Sequence, residues 1–457
     1  MKRSFLFLLL VVVLVLFFVS VNIFTVLAQD KDDYSNARIN WQSLKGETIN
    51  ILVTNAHYFN KFRAITPEFT RLTGIQVEFD VVPPREMREK AILDLSMKTG
   101  IYCSHTSDPM YLPLYVSNRW IEPMDKYIDN KEITDKEWFQ LEDIIPLWRE
   151  ADTVNGKLYA MPVEGEVTIL VYRKDIFEKL GLKPAATLEE LKEITKKVHN
   201  YEENLAGIAI RGFRGAGQNM YIWPSLFKSW GGDWFDNENN SLVDSDAGVE
   251  SLKYYVEMLK NYGPAGVENW NWPEIMEAFA GGNIAQFLDS NSTASILEDS
   301  QKSKVAGKVG YARWPKGPSG KGITSIWNWA MPINSFISDQ KKQATWLYIQ
   351  WLASKKTQMD SAVYKESAGA VLRTGVNRFS IWESQKYRKA LGFDKNYFDV
   401  VLDSLKYDTD ANWRPRLPQW PDIGETMAIA IQSALVGQKT PEQALKDAAA
   451  KIDEMMK

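Results

Sequence analysis

The chain has one cysteine, Cys103, and three histidines, His57, His105 and His199, in 457 residues. A single cysteine excludes an internal disulfide framework. Next to Ile101 and Tyr102, it is expected as a small buried hydrophobe. The histidines are far apart and show no zinc-ligand pairing, so neither a metal nor a cofactor is expected. A serine or cysteine nucleophile would need a histidine partner, and no nucleophile-elbow or protease signature surrounds a candidate. An excess of one charge is missing too: 54 basic residues stand against 58 acidic ones, a net charge of −4. Such a balance gives no electrostatic footprint for nucleic acid. Internal repeats and low-complexity tracts are absent.

What is present is apolar and aromatic. Hydrophobic residues make up 45% of the chain, enough for two sizeable cores, and there are 17 tryptophans. Lys2-Arg3 precede an unbroken apolar run from Phe5 to Val19, and Val26-Leu27-Ala28 fits a small-residue cleavage site. Residues 1–28 therefore read as a secretory signal peptide. The run is also long enough for an uncleaved anchor. Either way the bulk of the chain is exported. No cysteine lies near Ala28, which disfavours a lipid anchor.

Strand and helix signals alternate. Thr48–Val53 reads as a strand, Tyr58–Thr73 as a helix closed by Gly74, and Ile75–Val81 as a period-two strand. That spacing is a βαβ unit and predicts a parallel sheet. Glu86–Thr99 is the next helix. Later signals include Asp246 as a helix cap, a helix at Ile275–Phe279 broken by Gly281-Gly282, a helix over Gln340–Leu352, and a final helix opened by Thr440-Pro441. The class is α/β. Gly212-Phe213-Arg214-Gly215-Ala216-Gly217 hints at a phosphate loop, but no lysine-serine pair follows, so a flexible loop is expected.

The densest signals run from Val154 to Leu182. Asn155-Gly156 suits a hairpin turn, since both residues tolerate positive φ. Leu158–Pro162 reads as a strand ending at its proline. Thr168–Tyr172 is a second strand, Lys174–Leu180 a short helix stopped by Gly181, and Thr187-Leu188-Glu189-Glu190 a capping box. This succession resembles the crossover segment of bacterial extracellular solute-binding proteins of the sugar-binding type, the maltose-binding group. Ala278–Ala285, Thr324–Trp329, Ser367–Arg373 and the tail from Arg414 to Leu445 resemble further segments of that family, in the right order. Gln286 replaces a usual methionine, and the glycines of the second crossover are missing.

The resemblance implies a type II periplasmic-binding-protein fold: two α/β lobes, a ligand cleft between them, and three crossover segments near Glu164–Val167, Trp327 and Ala368. Residues 45–164 with 327–366 would form the N-terminal lobe, and 165–326 with 367–457 the C-terminal lobe. It further implies a monomer in the periplasm or on the outer side of the cell membrane. That monomer would take up a carbohydrate or polyol by hinge closure and hand it to the permease subunits of an ABC importer.

A sugar site needs flat aromatic surfaces and polar groups that chelate neighbouring hydroxyls. Trp327 sits where the family stacks an aromatic on its ligand, with Asn328 beside it. Glu166 falls where the family places a glutamate, and His57 and Tyr58 where it contacts ligand. Trp270 and Trp272 flank Asn271 as a cleft-lining loop would; Trp223 and Trp413 are further candidates, against the reading of tryptophan as core. Asp108, Asp289 and Asn291 follow strands, where α/β sheets place ligand groups. Asp108 could equally cap a helix. Arg373 and Arg414 could fork hydrogen bonds to hydroxyls or form structural ion pairs. The competing functions are a secreted glycoside hydrolase, for which no local motif pairs two acids, and a ligand-presenting sensor partner.

Overall fold

The computed structural model describes residues 32–215, 217–365 and 372–457. The leader at 1–28 and the crossing expected near Ala368 lie outside the described residues. The first unit is the expected βαβ. Strand β1 (Thr48–Thr54) leads to α1 (His57–Thr73), which stops at Gly74 with φ 74°, a left-handed position that glycine adopts without a Cβ clash. Strand β2 (Gln76–Val82) runs parallel to β1 in register from Thr48↔Gln76 to Thr54↔Val82. Helix α2 (Pro84–Met97) brings the chain to β3 (Ser104–His105) on the other edge, giving the order β2-β1-β3.

Helix α3 (Pro146–Ala151) then feeds a hairpin of β4 (Thr153–Val154) and β5 (Lys157–Leu158). Asn155 and Gly156 take φ 50° and 74° at its tip, the twist that suits a two-residue turn.

The next strand departs from expectation. β6 covers Ala160–Arg173 without a break at Pro162. The register against β9 (Ile326–Pro332) shifts between Pro162 and Glu164. Such a bulge accommodates a residue that has no N–H to donate. The first half of β6 pairs with β9, from Ala160↔Pro332 to Val167↔Ile326. The second half lies between β7 (Gln286–Ser290) and β8 (Val309–Ala312). One strand thus serves two sheets. On the other side, β9 reaches the β3 end of the first sheet, where Ser107 and Ala330 exchange both backbone bonds at 2.8 Å. Midway along β6, Gly165 pairs with Asn328 of β9 and donates its N–H to the carbonyl of Gly375 at 2.9 Å. Three remote stretches of chain therefore lie side by side at this one residue. A Cβ on Gly165 would overlap the indole of Trp148.

Helices complete both units. Thr187 caps α4 (Leu188–Val198), accepting from the N–H of Glu190, while the Glu190 carboxylate reaches back to Ala186 rather than to Thr187. Helices α5 (Asn219–Ser229) and α6 (Asp246–Tyr262) follow. Ser245, not Asp246, caps α6, because its hydroxyl accepts from Gly248 and Asp246 falls inside the first turn. Helix α7 (Trp272–Gly281) ends at Gly282 with φ 94°. Helix α8 (Asp339–Ala353) buries every residue from Ala344 to its end, Trp346, Ile349 and Leu352 among them, and α9 (Lys355–Val363) follows it. The tail carries α10 (Lys395–Tyr407), α11 (Trp420–Leu435) and α12 (Pro441–Met456), the last capped by Thr440. Trp148, Trp223, Trp346, Trp351, Trp382 and Trp420 are all fully buried, as is Cys103. Among the described residues no helix is long and apolar enough to cross a membrane.

Candidate functional site

Where β6 meets β9, period-two alternation sorts side chains into two faces. Glu164 stands opposite Trp329, and Glu166 opposite Trp327, so all four leave on one face. On that face rings and charges from distant parts of the chain converge. Trp327 and Trp329 meet edge to face with centroids 5.6 Å apart. Tyr221 of α5 stands edge-on to Trp327 at 5.9 Å and to Trp413 at 6.1 Å. Tyr58 of α1 lies 6.4 Å from Trp329.

Arginines lie over these rings. Arg88 of α2 faces Trp327, Trp329 and Tyr111 at 5.9, 5.8 and 5.7 Å. Arg414 stacks on Trp413 at 3.8 Å and reaches Trp327 at 5.3 Å. Arg211 covers Tyr221 at 4.4 Å. Carboxylates hold two of them in place. Arg88 donates to Asp108 at 2.8 Å, and Arg211 forks onto Asp289 at 2.8 and 2.5 Å. Glu166 accepts from the hydroxyls of Ser290 and Ser292 at 2.5 and 2.7 Å. Arg211 also donates to the carbonyl of Gly217 at 2.8 Å. Gly217 lies beside the edge of Trp327, where a Cβ would make ordinary van der Waals contact at 3.5 Å.

Burial sets the electrostatics. It raises the carboxyl of Glu166 above the usual range, although both serines and Arg211 pull the other way. It pushes Arg414 down to about 9, with Asp108 opposing. The phenols of Tyr58 and Tyr221 are raised by the same cause and stay neutral. The Tyr221 hydroxyl is buried with no hydrogen-bond partner among the described residues. A buried hydroxyl without a partner is costly; here it sits among the charges of Glu166, Arg211, Asp289 and Arg414. The arrangement offers flat apolar faces rimmed by fixed donors and acceptors, the surface that a polyhydroxylated molecule matches. Among the described residues, no group of three or more histidine, cysteine, aspartate or glutamate side chains is placed to hold a metal ion.

Seven residues expected from the sequence meet here: Trp327, Glu166, Asp108, Asp289, Trp413, Arg414 and Tyr58. Asn328 does not. One position along β9 from Trp327, it leaves the strand on the other face and donates to Asp152 at 2.5 Å. Asn291 and Arg373 serve the crossing strands. Asn291 accepts from the N–H of Val167 at 2.9 Å and donates to Tyr397. Arg373, wholly buried, grips Glu164 at 2.5 Å, the carbonyl of Val163 at 2.9 Å and Gln358 at 2.8 Å. Trp223 is a core ring, stacked on Phe227 at 5.0 Å. The carbonyl of Trp270 holds the N–H groups of Gly212 and Phe213, and Trp272 is 43% exposed at the start of α7. Neither has a ring contact with the Trp327 cluster among the described residues. The His57 side chain lies outside the described part of the structure.

Sequence reasoning missed Tyr221, Arg88, Arg211, Trp329, Ser290 and Ser292. Trp329 could have been found, since period two carries Trp327's face to it. Tyr221 lies two positions before Trp223, on nearly the opposite side of a helix.

The sequence profile of bacterial extracellular solute-binding proteins matches residues 56–359. A mannitol-binding protein of Pseudomonas aeruginosa is 28% identical over 415 residues, 87% of this chain and 91% of that one. A solute-binding protein of Agrobacterium radiobacter solved with ribitol superposes with a TM-score of 0.79 at 25% identity, covering 90% of this chain and 99% of the other. One from Agrobacterium vitis with bound D-mannitol gives 0.77 at 28%, covering 90% and 98%. These structures share the two-lobed α/β architecture, and the shared β6 is what joins its halves here. By sequence profile and by fold together, the chain belongs to the bacterial extracellular solute-binding proteins.

Proposed function

We propose that this protein is exported, takes up a linear polyol or small sugar in the face around Trp327, and presents it to the permease subunits of an ABC importer without acting on it chemically. The lobes would be residues 45–164 with 327–366, and 165–326 with 367–457. The observation that carries the reading is the composition of the site. Arg88, Asp108 and Tyr58 come from the unit built on the first sheet; Arg211, Tyr221 and Asp289 come from the unit on the second. A ligand that bridges the two sets binds the closed arrangement better than the open one, and so drives the hinge shut. The relatives and neighbours named for mannitol and ribitol support a polyol. So do the paired charges, whose fixed donors and acceptors suit vicinal hydroxyls. The acids of the site are each engaged by an arginine or by hydroxyls, which suits hydrogen bonding rather than proton transfer.

Calorimetric titration with D-mannitol, ribitol, erythritol and maltose tests this reading. Saturable binding of at least one polyol in the micromolar range or tighter is expected. No heat with any of the four would overturn it.

A further inference from the structure

The back of the β6–β9 pair holds polar atoms that the ligand face does not use. Asn328 lies between Trp327 and Trp329 but points away from them, and it is fully buried. Its Nδ2 donates to Oδ2 of Asp152, the buried residue that follows α3. The remaining oxygens, Oδ1 of Asp152 and Oδ1 of Asn328, are both buried without a donor among the described residues. Trp148, on the same side at Gly165, does not serve them, since its Nε1 is itself without an acceptor among the described residues. Two buried acceptors left over from one side-chain pair are expensive. A single proton removes the cost. A carboxylic acid can donate from Oδ1 to the carboxamide oxygen while its Oδ2 accepts the carboxamide N–H, so both groups are satisfied at once.

We propose that Asp152 is carried as a neutral carboxylic acid, joined to Asn328 by two parallel hydrogen bonds, and that this acid–amide pair positions Trp327 and Trp329 on the opposite face of β9. Its bearing on ligand rests on the functional reading above; the protonation does not. The surroundings agree. Burial holds the Asp152 carboxyl well above its usual range and the Asp108 charge adds to this, against the opposing pull of the Asn328 hydrogen bond and of Arg416. Arg416 spends its hydrogen bonds on the carbonyls of Glu150 and Thr153, either side of Asp152. Of the other charged groups on the flanking elements, Arg149 pairs with Glu142, while Glu150 and Lys157 are exposed. Loss of the proton at alkaline pH sets two like acceptors against each other behind the ring-bearing strand. Asn328 must then turn, and Trp327 and Trp329 move with it.

Two readouts on the full-length protein, without ligand, test this. The first is the infrared difference spectrum between wild type and Asp152→Asn at pH 7. A protonated-carboxyl C=O band present only in wild type is expected. Absence of that band means an ionised Asp152 and overturns the proposal. The second is tryptophan emission against pH. Asp152→Asn keeps two parallel hydrogen bonds as an amide pair, so the wild-type protein should show an alkaline transition that the variant lacks; identical profiles overturn the positioning role. Should Asp152→Asn fail to fold, Asp152→Ser, whose hydroxyl can still pair with Asn328, serves as the reference for the same infrared difference. The band present only in wild type is expected again, and its absence overturns the proposal. A failure of polyol binding in calorimetry touches neither readout.

Discussion

Glu166 and Trp327 face each other across the β6–β9 ladder, just before β6 leaves β9 to run between β7 and β8. The acid is anchored by Ser290 and Ser292 from the second unit, while the indole packs under Arg88 from the first. Ring and acid therefore sit together on the strand pair that the proposed function makes the hinge, and changes to either should be read together in affinity and in closure.

Trp327→Ala should weaken polyol binding by about 2–4 kcal/mol. Trp327→Phe keeps a flat face and should cost nearer 1.4 kcal/mol, about tenfold in Kd. Calorimetry measures both. Equal affinity in all three proteins would remove Trp327 from the site.

The Glu164–Arg373 pair should behave as a buried ion pair. Arg373 is inaccessible to solvent and binds three further acceptors. Breaking such a pair from one side typically costs about 3–5 kcal/mol, because the other charge is left buried alone. Arg373→Met should therefore lower the urea midpoint more than Arg373→Met combined with Glu164→Gln. If the double variant is the less stable, the pair is not the source of the loss.

Glu166 gives a pH dependence of defined sign. Burial raises its carboxyl in the folded protein, so the folded state binds its proton more tightly than the unfolded chain does. The associated stability is full below the unfolded carboxyl value, near about 4.3. It is lost as pH rises through the raised value, because ionisation then costs more in the folded state. Glu164 and Asp152 are shifted in the same direction. Unfolding midpoints from pH 4 upward should thus fall less steeply in Glu166→Gln than in wild type; parallel curves would contradict the buried placement.

The tryptophans separate into classes that substitution can tell apart. Trp223→Ala removes a fully buried ring and should cost about 3–5 kcal/mol of stability. Trp272→Ala removes a 43% exposed ring and should change stability by no more than about 0.5 kcal/mol, with polyol affinity unchanged. A large affinity loss in Trp272→Ala would move the ligand away from the Trp327 face.

Local chemistry made much of the fold legible. The alternation in β2, the glycine after α1 and the Asn155-Gly156 turn each carry their own backbone requirement within a few residues. The break expected at Pro162 failed because a bulge, set by pairing with a strand more than 160 residues away, makes room for proline. The cap of α6 fell one residue early because Ser245 and Asp246 are both good caps and only geometry chooses. In the site, Trp327 was visible from its place in the chain. Arg211 was not, since its meaning comes from Asp289, 78 positions on. Asn328 was read onto the wrong face because adjacency in sequence is opposition in a strand.

Small-angle scattering of the free and polyol-saturated protein tests the central claim most directly. Hinge closure around a bridging ligand predicts a smaller radius of gyration and a shorter maximum dimension in the bound state. Superimposable curves, under conditions where calorimetry shows the site filled, would contradict it.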